Sequence, residues 1–531
     1  MTTFDEDVLV VGAGPVGLMA ASLLARSGVK VRLVDAAAGP ATTSRALGAH
    51  ARSLEIYDQL GLLGEIAPHG TRVNAFIRHQ GGPANRVDFR FDGLPTRFPF
   101  MFNIDQVIIE RVLRADAAAA DVAVEWSTRL ESFEQDDEGV TAVLCGDGDS
   151  GGGVRETVRT QYLWGCDGGH STIRKSLGLR LEGEPAHTWL IADAIVHTDL
   201  DRDGVHWLFP GDGALMLFPF PEPGKWRLLD TKGEGDPDRP DQIARQFSEK
   251  LSRALGDQTI VERPSWTSKF TIQQRAVPAM HVGRCFVSGD AAHVHSPASG
   301  QGLNTGIQDA YNLAWKLAMV IRGDADPELL STYDAERVPI GRALLSSTSE
   351  VMENAMVPAD GDDVDVRETD RDFARQLIRN MSGLTIGYPD SPLTVPAGGT
   401  AQGPRPGERL TQVSAEDAQS PGWTMLRAAL RNPGWHLLVF AGGGIDAVNA
   451  AMPAWVDEVT ISRRQDAAVR DLDGCVHETL AARAGDWILL RPDGYVSARG
   501  TGEEQLRAAV EVLAGVHGQT RTGLRTRTVD A

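Results

Sequence analysis

The sequence predicts a mixed α/β and α+β fold, in which a Rossmann-like domain carries an inserted antiparallel sheet and a separate C-terminal unit follows. Three observations predict this arrangement. The chain opens on a strand, glycine turn, helix and strand, and residues 188–271 alternate in the manner of an antiparallel sheet. A Gly- and Pro-rich stretch at residues 398–407 then precedes further strands and a final helix. The length of 531 residues suits two to four domains at roughly 100–200 residues each.

Composition narrows the function classes. Hydrophobic residues make up 42% of the chain and charged residues 23%, which is typical of a globular protein. The net charge of −20 argues against nucleic acid and anionic membranes as partners. The N-terminus has no basic region typical of a signal peptide, and no apolar run approaches the ~18 residues of a spanning helix. We therefore expect a cytoplasmic protein.

The cysteines show no spacing that serves a metal or a disulfide framework. There is no CxxC pair, and we expect neither a metal site nor a disulfide framework. The four cysteines are Cys145, Cys166, Cys285 and Cys475.

A glycine motif follows the first predicted strand, which starts at Asp7. Gly12 permits a turn, Gly14 lets the backbone approach a pyrophosphate, and Gly17 lets the helix and strand pack closely. The start of the next helix, at Pro15, offers free N–H groups and a positive dipole end to phosphates. Asp35 ends the second strand, where a carboxylate can hold a ribose hydroxyl. The pattern predicts a dinucleotide site without saying which dinucleotide binds.

A second motif, CDGGHSTIR, follows a predicted strand that ends near Gly165. Asp167 and Gly168 lead into Ser171 and Arg174 at the spacing DGxxSxxR. By itself this segment is also compatible with an ordinary strand, turn and helix in which the aspartate caps the helix.

The third motif is GDAAHVHSPASGQGLNTGIQD. The carboxylate of Asp290, after Gly289 and a buried strand, can accept hydrogen bonds from a polyol. Pro297 bends the chain, and the glycines at 300 and 302 expose backbone N–H groups just before the Asn304 helix. Such a helix start stabilises negative charge that develops on a ligand. For the two histidines of the motif we expect packing or capping roles.

Together, GAGPVG, CDGGHSTIR and GDAAHxHxPxxGQGLNxGIQD resemble the three fingerprints of the group A flavoprotein aromatic hydroxylases, in particular the phenol-hydroxylase-like branch with its polyketide-tailoring and phenylpropionate hydroxylases. The resemblance covers about residues 5–395 and includes SRALGAHARSLEIYDQLGL, QVIIERVL and STYDAERVPIGR. It implies one FAD, reduction by NADPH or NADH, and oxygen insertion from O₂ through a flavin C4a-hydroperoxide.

The resemblance also implies residue roles. The glycine turn would hold the FAD pyrophosphate, Arg45 and Gln106 would reach the phosphate and ribityl region, and Asp167 would serve both FAD and the nicotinamide nucleotide. Asp290 would bind the ribityl hydroxyls, and the turn at 300–303 would flank the isoalloxazine ring. The complete set of implied cofactor residues is Gly12, Gly14, Pro15, Gly17, Asp35, Arg45, Gln106, Asp167, Gly289, Asp290, Pro297, Gly300, Gly302, Leu303 and Asn304.

The inserted sheet should roof a substrate pocket for a phenolic, polycyclic aromatic molecule. The expected lining is Trp207, Phe209, Leu217, Phe218 and Pro297, with Phe220 and Trp226 as further aromatic residues. The sheet has no tyrosine, and the nearby titratable residues are expected to be structural or exposed: His187, His206 and Asp230. We leave the catalytic residue unassigned. Two alternatives stay open, a Baeyer–Villiger or epoxidising flavin monooxygenase and a non-catalytic binding protein on an FAD-type scaffold.

The predicted domains are discontinuous. Residues 1–185 plus 272–395 form the FAD-binding domain, with 73–105 contributing to the substrate sheet, and 186–271 form the substrate domain. Residues 398–531 resemble the thioredoxin-like domain of this branch. Because this segment lacks CxxC, we expect a structural or dimer-contact role rather than thiol redox chemistry, which allows a homodimer.

Overall fold

The computed structural model has a mixed α/β fold with several sheets. It describes residues 4–44, 46–80, 83–146, 153–183, 185–211, 213–294, 300–356, 364–396, 402–441, 452–464 and 467–516. The elements up to residue 176 are β1 (Glu6–Val11), α1 (Pro15–Arg26), β2 (Val31–Val34), β3 (Gly48–Ala49), α2 (Ala51–Gln59), α3 (Leu63–Ile66), β4 (Thr71–Val73), β5 (Ala75–His79), β6 (Asn85–Asp88), β7 (Met101–Asn103), α4 (Gln106–Ala119), β8 (Val124–Glu125), β9 (Thr128–Gln135), β10 (Val140–Gly146), β11 (Val154–Gly165) and α5 (Thr172–Ser176).

The central part of the chain continues the fold. Its elements are β12 (Pro185–His197), β13 (Gly204–Leu208), β14 (Leu215–Pro219), β15 (Lys225–Asp230), α6 (Pro240–Leu255), β16 (Ile260–Val261), β17 (Trp266–Gln273), β18 (Arg275–Ala276), β19 (His281–Val282), β20 (Cys285–Val287), β21 (His293–Val294), α7 (Gln301–Arg322), α8 (Ser331–Met356) and α9 (Val364–Met381).

The C-terminal part adds a smaller set. It consists of α10 (Pro421–Ala429), β22 (Trp435–Phe440), β23 (Val456–Ser462), β24 (Val469–Arg470), α11 (Cys475–Thr479), β25 (Asp486–Leu490), β26 (Val496–Thr501) and α12 (Gly502–Val516). In the part of the chain that the structure describes, no helix is both long and apolar enough to cross a membrane.

The first sheet brings the three sequence motifs to one edge. Among the described residues it has eight strands, which include the order β19-β20-β11-β1-β2-β8. β1 pairs in parallel with β2 and β11, as β11 does with β20. The carboxyl ends of these parallel strands therefore lie side by side. Since one motif follows each of β1, β11 and β20, the motifs meet above this edge, which is where open α/β sheets bind ligands.

The hairpin of β10 and β11 extends the first sheet. The two strands pair antiparallel from Val140 and Thr160 to Gly146 and Val154. Most of the glycine-rich run between them lies outside the described residues.

The second sheet has the strand order β16-β12-β15-β14-β13-β5-β6, and β17 pairs with β12. Helix α6 covers one face through Ile243 and Phe247, which pack in one apolar cluster with strand residues. The segment before the insertion joins this sheet, because β5 pairs in parallel with β13 from Gly204 opposite Ala75. The other face is left to close a cavity over the first sheet.

The third large sheet belongs to the C-terminal part and has the order β24-β23-β22-β25-β26. β22 is parallel to β23 and antiparallel to β25. One face packs in a cluster with Trp423 of α10. The other packs with Leu506 of α12 and with Trp315 and Met319 of α7, so α7 is shared between the first and last parts of the fold.

Candidate active site

A cavity of about 310 Å³ lies where the three motifs meet beneath the second sheet. Its floor comes from the strand ends and helix starts, and its roof from strands of the inserted sheet. The lining residues are Gly14, Pro15, Val16, Ala46, Leu47, Gly48, His50, Met101, Asn103, Gln106, Cys166, Gly168, Ile191, Phe218, Arg227, Leu229, Phe270, Ser288, Asp290, Gly300, Gly302, Leu303 and Met381.

The glycine turn after β1 has the geometry that the motif predicts. Gly12 has φ +104°, and a Cβ there would lie 2.3 Å from the carbonyl oxygen of Cys166. A Cβ at Gly17 would lie 1.8 Å from the Gly12 carbonyl oxygen, so both positions require glycine. Gly14, by contrast, has open space where a side chain would be and lines the cavity. A ligand can therefore approach the backbone at Gly14 and the uncapped start of α1.

Asp35 is held beside this turn. Its Oδ2 accepts a hydrogen bond from the backbone N–H of Ala13 at 2.6 Å, and its Oδ1 accepts one from the N–H of Ala37 at 2.7 Å. The carboxylate thus has a fixed position at the end of β2, next to the glycine turn, although it does not line the cavity itself.

Gln106 begins α4 and secures the segment that precedes β3. Its Oε1 accepts a hydrogen bond from the N–H of Ala46 at 3.0 Å, and its own N–H donates to Ser44 Oγ at 2.7 Å. Arg45, the residue between these two contacts, lies outside the described residues. Gln106 therefore lines the cavity and also positions the backbone on both sides of Arg45.

The second motif forms a short capped helix that is tied to the third motif. Asp167 Oδ2 accepts hydrogen bonds from the N–H groups of Thr172 (2.7 Å) and Ile173 (3.3 Å), while its buried Oδ1 finds no partner among the described residues. Ser171 Oγ accepts from the N–H of Arg174. The Arg174 guanidinium in turn donates to the carbonyl oxygen of Ala291 at 3.2 Å. Capping and a ligand contact are therefore compatible at Asp167.

The third motif places a carboxylate opposite a helix start. Asp290 is exposed towards the cavity, and a Cβ on Gly302 would lie 3.6 Å from its Oδ1. Helix α7 begins after Gly300, which has φ +58° and provides no side-chain cap, so the first N–H groups of the helix remain available to a ligand. Leu303 lines the cavity beside them. Pro297 lies outside the described residues.

Asn304 links the start of α7 to the start of α2. Its Oδ1 accepts from the N–H of His50 at 2.8 Å, and its Nδ2 donates to the carbonyl oxygens of Gly48 (3.0 Å) and Gly300 (2.7 Å). Three cavity-lining residues therefore depend on one buried amide side chain for their relative positions.

Asp309, one turn and a half further along α7, fixes the Gly289 turn by a hydrogen bond. Its Oδ2 accepts from the Gly289 N–H at 3.0 Å and lies 2.6 Å from His293 Nε2, and its Oδ1 accepts from Arg337 Nε at 2.8 Å. Burial alone would raise the pKa of Asp309, but the adjacent His293 and Arg337 lower it to about 2. His293 is buried beside this carboxylate, and His295, the other histidine of the motif, lies outside the described residues.

The roof is apolar and follows the alternation of the strands. Phe218 of β14 lines the cavity, as do Ile191, Leu229 and Phe270 on neighbouring strands. Leu217, which the sequence analysis assigned to the pocket, lies on the opposite face and packs in the cluster around α6, because adjacent strand residues point to opposite faces.

Two other predicted lining residues sit beyond the cavity. Trp207 packs edge-on against Phe76 with ring centroids 5.3 Å apart, and the Arg78 guanidinium lies 4.7 Å from the ring centre of Phe209. Both aromatic residues pack in the same apolar cluster as the roof residues, but neither lines the cavity. Trp226 lies on the α6 face with Leu217.

An ion pair in the roof was missed by the sequence analysis. Arg227 lines the cavity and donates from Nε and Nη2 to the two carboxylate oxygens of Asp193, each at 2.8 Å. Nη2 also donates to the carbonyl oxygen of Ser44 at 2.8 Å. Burial raises the pKa of Asp193, and the Arg227 charge opposes that shift. The available signal was a charged residue within each strand, Asp193 in WLIADAIV and Arg227 in KWRLLD.

The titratable residues of the sheet that the sequence singled out have other partners. His206 Nδ1 lies 2.9 Å from His79 Nε2, and Asp230 Oδ2 accepts from Lys250 Nζ at 2.7 Å. The side chain of His187 lies outside the described part of the chain. Neither described residue lines the cavity.

Comparison with known proteins identifies the family. The family model described as FAD binding domain matches residues 5–348. The chain is 44% identical to 6-methylpretetramide 4-monooxygenase of Streptomyces rimosus over 95% of its own length and 93% of the relative's. The chain belongs to the FAD-dependent aromatic monooxygenases. It is also 30% identical to pentachlorophenol 4-monooxygenase of Sphingobium chlorophenolicum, over 93% of this chain and 94% of that protein.

A solved structure shares the whole architecture of this monooxygenase. The ternary complex of aklavinone-11 hydroxylase with FAD and aklavinone superimposes with a TM-score of 0.71 at 25% identity, and the match covers 98% of this chain and 100% of that one. The mixed α/β fold with multiple sheets is therefore the fold of FAD-binding monooxygenases, as the sequence predicted.

The residues of the cavity suit FAD. The space above Gly14, together with the glycines required at 12 and 17, forms a cradle that side chains would fill. The starts of α1 and α7 both line this cavity and neither has a side-chain cap, so their free N–H groups lie beside it. A pyrophosphate and an electron-accepting ring edge are the parts of FAD that need such donors.

Proposed function

We propose that this flavoprotein oxidoreductase uses FAD, NADPH or NADH, and O₂ to place one oxygen atom on a phenolic ring of a polycyclic aromatic substrate. One observation carries the proposal: the three nucleotide motifs converge on the floor of a cavity whose roof is apolar except for one buried ion pair. The known activities of the relatives favour ring hydroxylation over the Baeyer–Villiger, epoxidising and non-catalytic alternatives.

The glycine turn and the start of α1 would hold the FAD pyrophosphate. Gly12 and Gly17 keep the turn tight, and Gly14 and Pro15 form the surface that meets the phosphates. Asp35, fixed beside the turn, would accept hydrogen bonds from the adenosine ribose. Arg45 would reach the phosphates from the segment that Gln106 anchors.

The start of α7 would hold the flavin ring. FAD, when bound, supplies the hydride acceptor and the oxygen activation that no side chain can supply. The N–H groups after Gly300 would stabilise the negative charge that reduction adds to the ring, and Asp290 would accept from the ribityl hydroxyls. Gly289, Gly302, Leu303 and Asn304 shape this wall, and Pro297 would close it. Asp167 would contact FAD and the visiting nicotinamide nucleotide.

The substrate would lie between the ring and the roof. The 310 Å³ cavity is lined there by Ile191, Phe218, Leu229 and Phe270, which bury an apolar fused-ring molecule and exclude water. Two relatives are named for polycyclic compounds, 6-methylpretetramide and aklavinone, and one for a phenol. A polycyclic phenol is therefore the substrate class that we propose for this chain.

The domain division and the surroundings of the protein are part of the proposal. Residues 1–185 plus 272–395 would bind FAD with 73–105 in the substrate sheet, 186–271 would form the substrate domain, and 398–531 a thioredoxin-like domain. The mixed sheet that ends in the β25–β26 hairpin and α12 supports this last assignment. We further propose a cytoplasmic location and a homodimer, which cell fractionation and light scattering would test.

Isotope labelling tests the function. The purified holoenzyme is incubated under ¹⁸O₂ with NADPH and a panel of polycyclic phenols, and products are analysed by mass spectrometry. We expect a substrate to accelerate NADPH oxidation and one ¹⁸O atom to appear in the product. Oxygen derived from water, or the lack of product across the panel, would contradict hydroxylation. A preparation that binds no flavin after FAD addition would contradict the cofactor assignment as well.

A further inference from the structure

The turn between β25 and β26, residues 491–494, enters the interior of the FAD-binding part of the molecule. Arg491 and Asp493 are each only 1% exposed, although they belong to a loop. Connecting segments normally run over the surface because their polar groups need partners. The partners of these two residues therefore indicate what the turn does.

The turn first contacts α8. Arg491 Nη1 donates to Glu336 Oε1 at 2.6 Å, and Nη2 donates to Glu336 Oε2 at 2.9 Å. Its Nε and Nη2 also donate to Asp493 Oδ1 (3.0 Å) and Oδ2 (2.6 Å). The guanidinium is thus fixed between two carboxylates, both of them buried.

The same cluster is hydrogen-bonded to the middle of α7. Asn312 Nδ2 donates to Glu336 Oε2 at 2.6 Å and to Asp493 Oδ2 at 3.3 Å, and Trp315 Nε1 donates to Asp493 Oδ2 at 3.3 Å. α7 starts at the cavity and continues to Arg322 without interruption. The eleven helical steps from Gln301 to Asn312 span about 16 Å, so a shift at the cluster is transmitted along the helix to its start.

The turn also holds α2. The carbonyl oxygen of Asp493 accepts from Arg52 Nη2 at 2.8 Å. Arg52 follows two residues after His50, which lines the cavity and donates its N–H to Asn304 of α7. The turn therefore contacts, from behind, the two helices whose first residues form one wall of the cavity.

We propose that the turn at 491–494 is a positioning element for FAD, which sets the spacing between the starts of α2 and α7. A buried ion cluster is a weak source of stability, since apolar residues of similar volume often stabilise a core as well or better. Its directional hydrogen bonds do fix relative positions, which apolar packing does less strictly. This inference rests on the proposed placement of FAD at the wall formed by Gly48, Gly300 and Leu303, and it gives the C-terminal part a role that needs no thiol chemistry.

Asp493→Asn in the full-length holoenzyme tests the proposal. We expect the dissociation constant of FAD, measured by fluorescence titration, to rise about 3- to 30-fold. The visible circular dichroism of the flavin should also change at saturating FAD, because the ring then sits differently against the wall. Ile461→Ala is the matched control, since this buried residue lies on β23, away from the turn. It should lower the melting temperature and leave both flavin readouts unchanged.

Trp315→Phe provides a milder variant if Asp493→Asn does not fold, because it removes one N–H donor to Asp493 and keeps an aromatic ring. Smaller changes of the same kind in both readouts would support the proposal. Readouts equal to wild type in the folded variants, or equal changes in Ile461→Ala, would overturn it. A wild-type protein that fails to bind FAD would instead overturn the proposed function.

Discussion

Asp193 and Arg227 stand directly opposite each other on β12 and β15 and form a two-point ion pair in the roof of the cavity. The pair is buried, and Arg227 also donates a hydrogen bond to the Ser44 carbonyl oxygen. Arg227 therefore joins the substrate sheet to the segment that carries Arg45. The pair thus connects the substrate side of the site with its cofactor side.

Asp193→Asn should destabilise the protein by about 3–5 kcal/mol, because it leaves the Arg227 charge buried without its counter-ion. Urea unfolding followed by far-UV circular dichroism measures this loss. The double variant Asp193→Leu, Arg227→Met should regain most of the stability but still bind FAD more weakly, since the contact with Ser44 is gone. Full recovery of FAD affinity in the double variant would argue that the pair serves stability alone.

Asp290→Ala should weaken FAD binding by about one to two decades, because a carboxylate that accepts ribityl hydroxyls makes charge-assisted bonds worth roughly 1.5–3 kcal/mol each. Fluorescence titration of the apoprotein with FAD measures the change. Asp326→Ala, at the exposed start of a short helical turn before α8, is the control and should bind FAD as wild type does. An unchanged affinity in Asp290→Ala would place the ribityl chain elsewhere.

Cys475→Ser should keep turnover and FAD content within about twofold of wild type. Cys475 is a free thiol whose pKa is raised by burial, so it is neither half of a dithiol nor an activated nucleophile. Steady-state NADPH oxidation with substrate and the ratio of flavin to protein absorbance provide the measurement. A large loss of turnover in a folded, flavin-loaded variant would restore a redox role for the C-terminal part.

Acid should destabilise the inserted sheet through His79. Burial, followed by the nearby His206, lowers the pKa of His79 from 6.5 to about 4. A base whose pKa is depressed on folding binds fewer protons in the folded than in the unfolded state between these values. Stability is therefore complete above about pH 6.5 and declines as the pH falls through 4.

His79→Gln tests this, because glutamine retains a donor for His206 Nδ1 and does not titrate. The free energy of unfolding of the variant should depend less on pH between 6.5 and 4 than that of wild type. Parallel curves for His79→Gln and wild type would show that His79 titrates normally.

The parts of the site that the sequence predicted are those with local causes. The strand, glycine turn and helix from Glu6 to Arg26 follow from neighbouring residues, and the convergence of the three motifs follows from parallel pairing of the strands before them. FAD use and the monooxygenase family, which the same motifs indicated, are confirmed by the comparisons.

The roof was harder to predict because its causes are not local. The segment ALMLFPF is apolar at every position, so the sequence does not show which of its residues face the cavity. Leu217 was therefore assigned to the cavity together with Phe218, although the two lie on opposite faces of the sheet. The Asp193–Arg227 pair depends on the register between two strands about 30 residues apart, which no local pattern fixes. The cluster around Arg491 depends on its contact with Glu336, which lies 155 residues earlier in the chain.

The parallel pairing of β5 with β13 has a consequence for protein engineering. Ala75–His79 pairs along Gly204–Leu208, so the sheet that covers the cavity is assembled from two separate stretches of the chain. In a chimera that exchanges only residues 186–271 with a relative, the relative's β13 would pair with the β5 of this chain. The side chains of the two strands would then not be matched to each other. To transfer the substrate preference of a relative, residues 71–103 should therefore be exchanged together with residues 186–271.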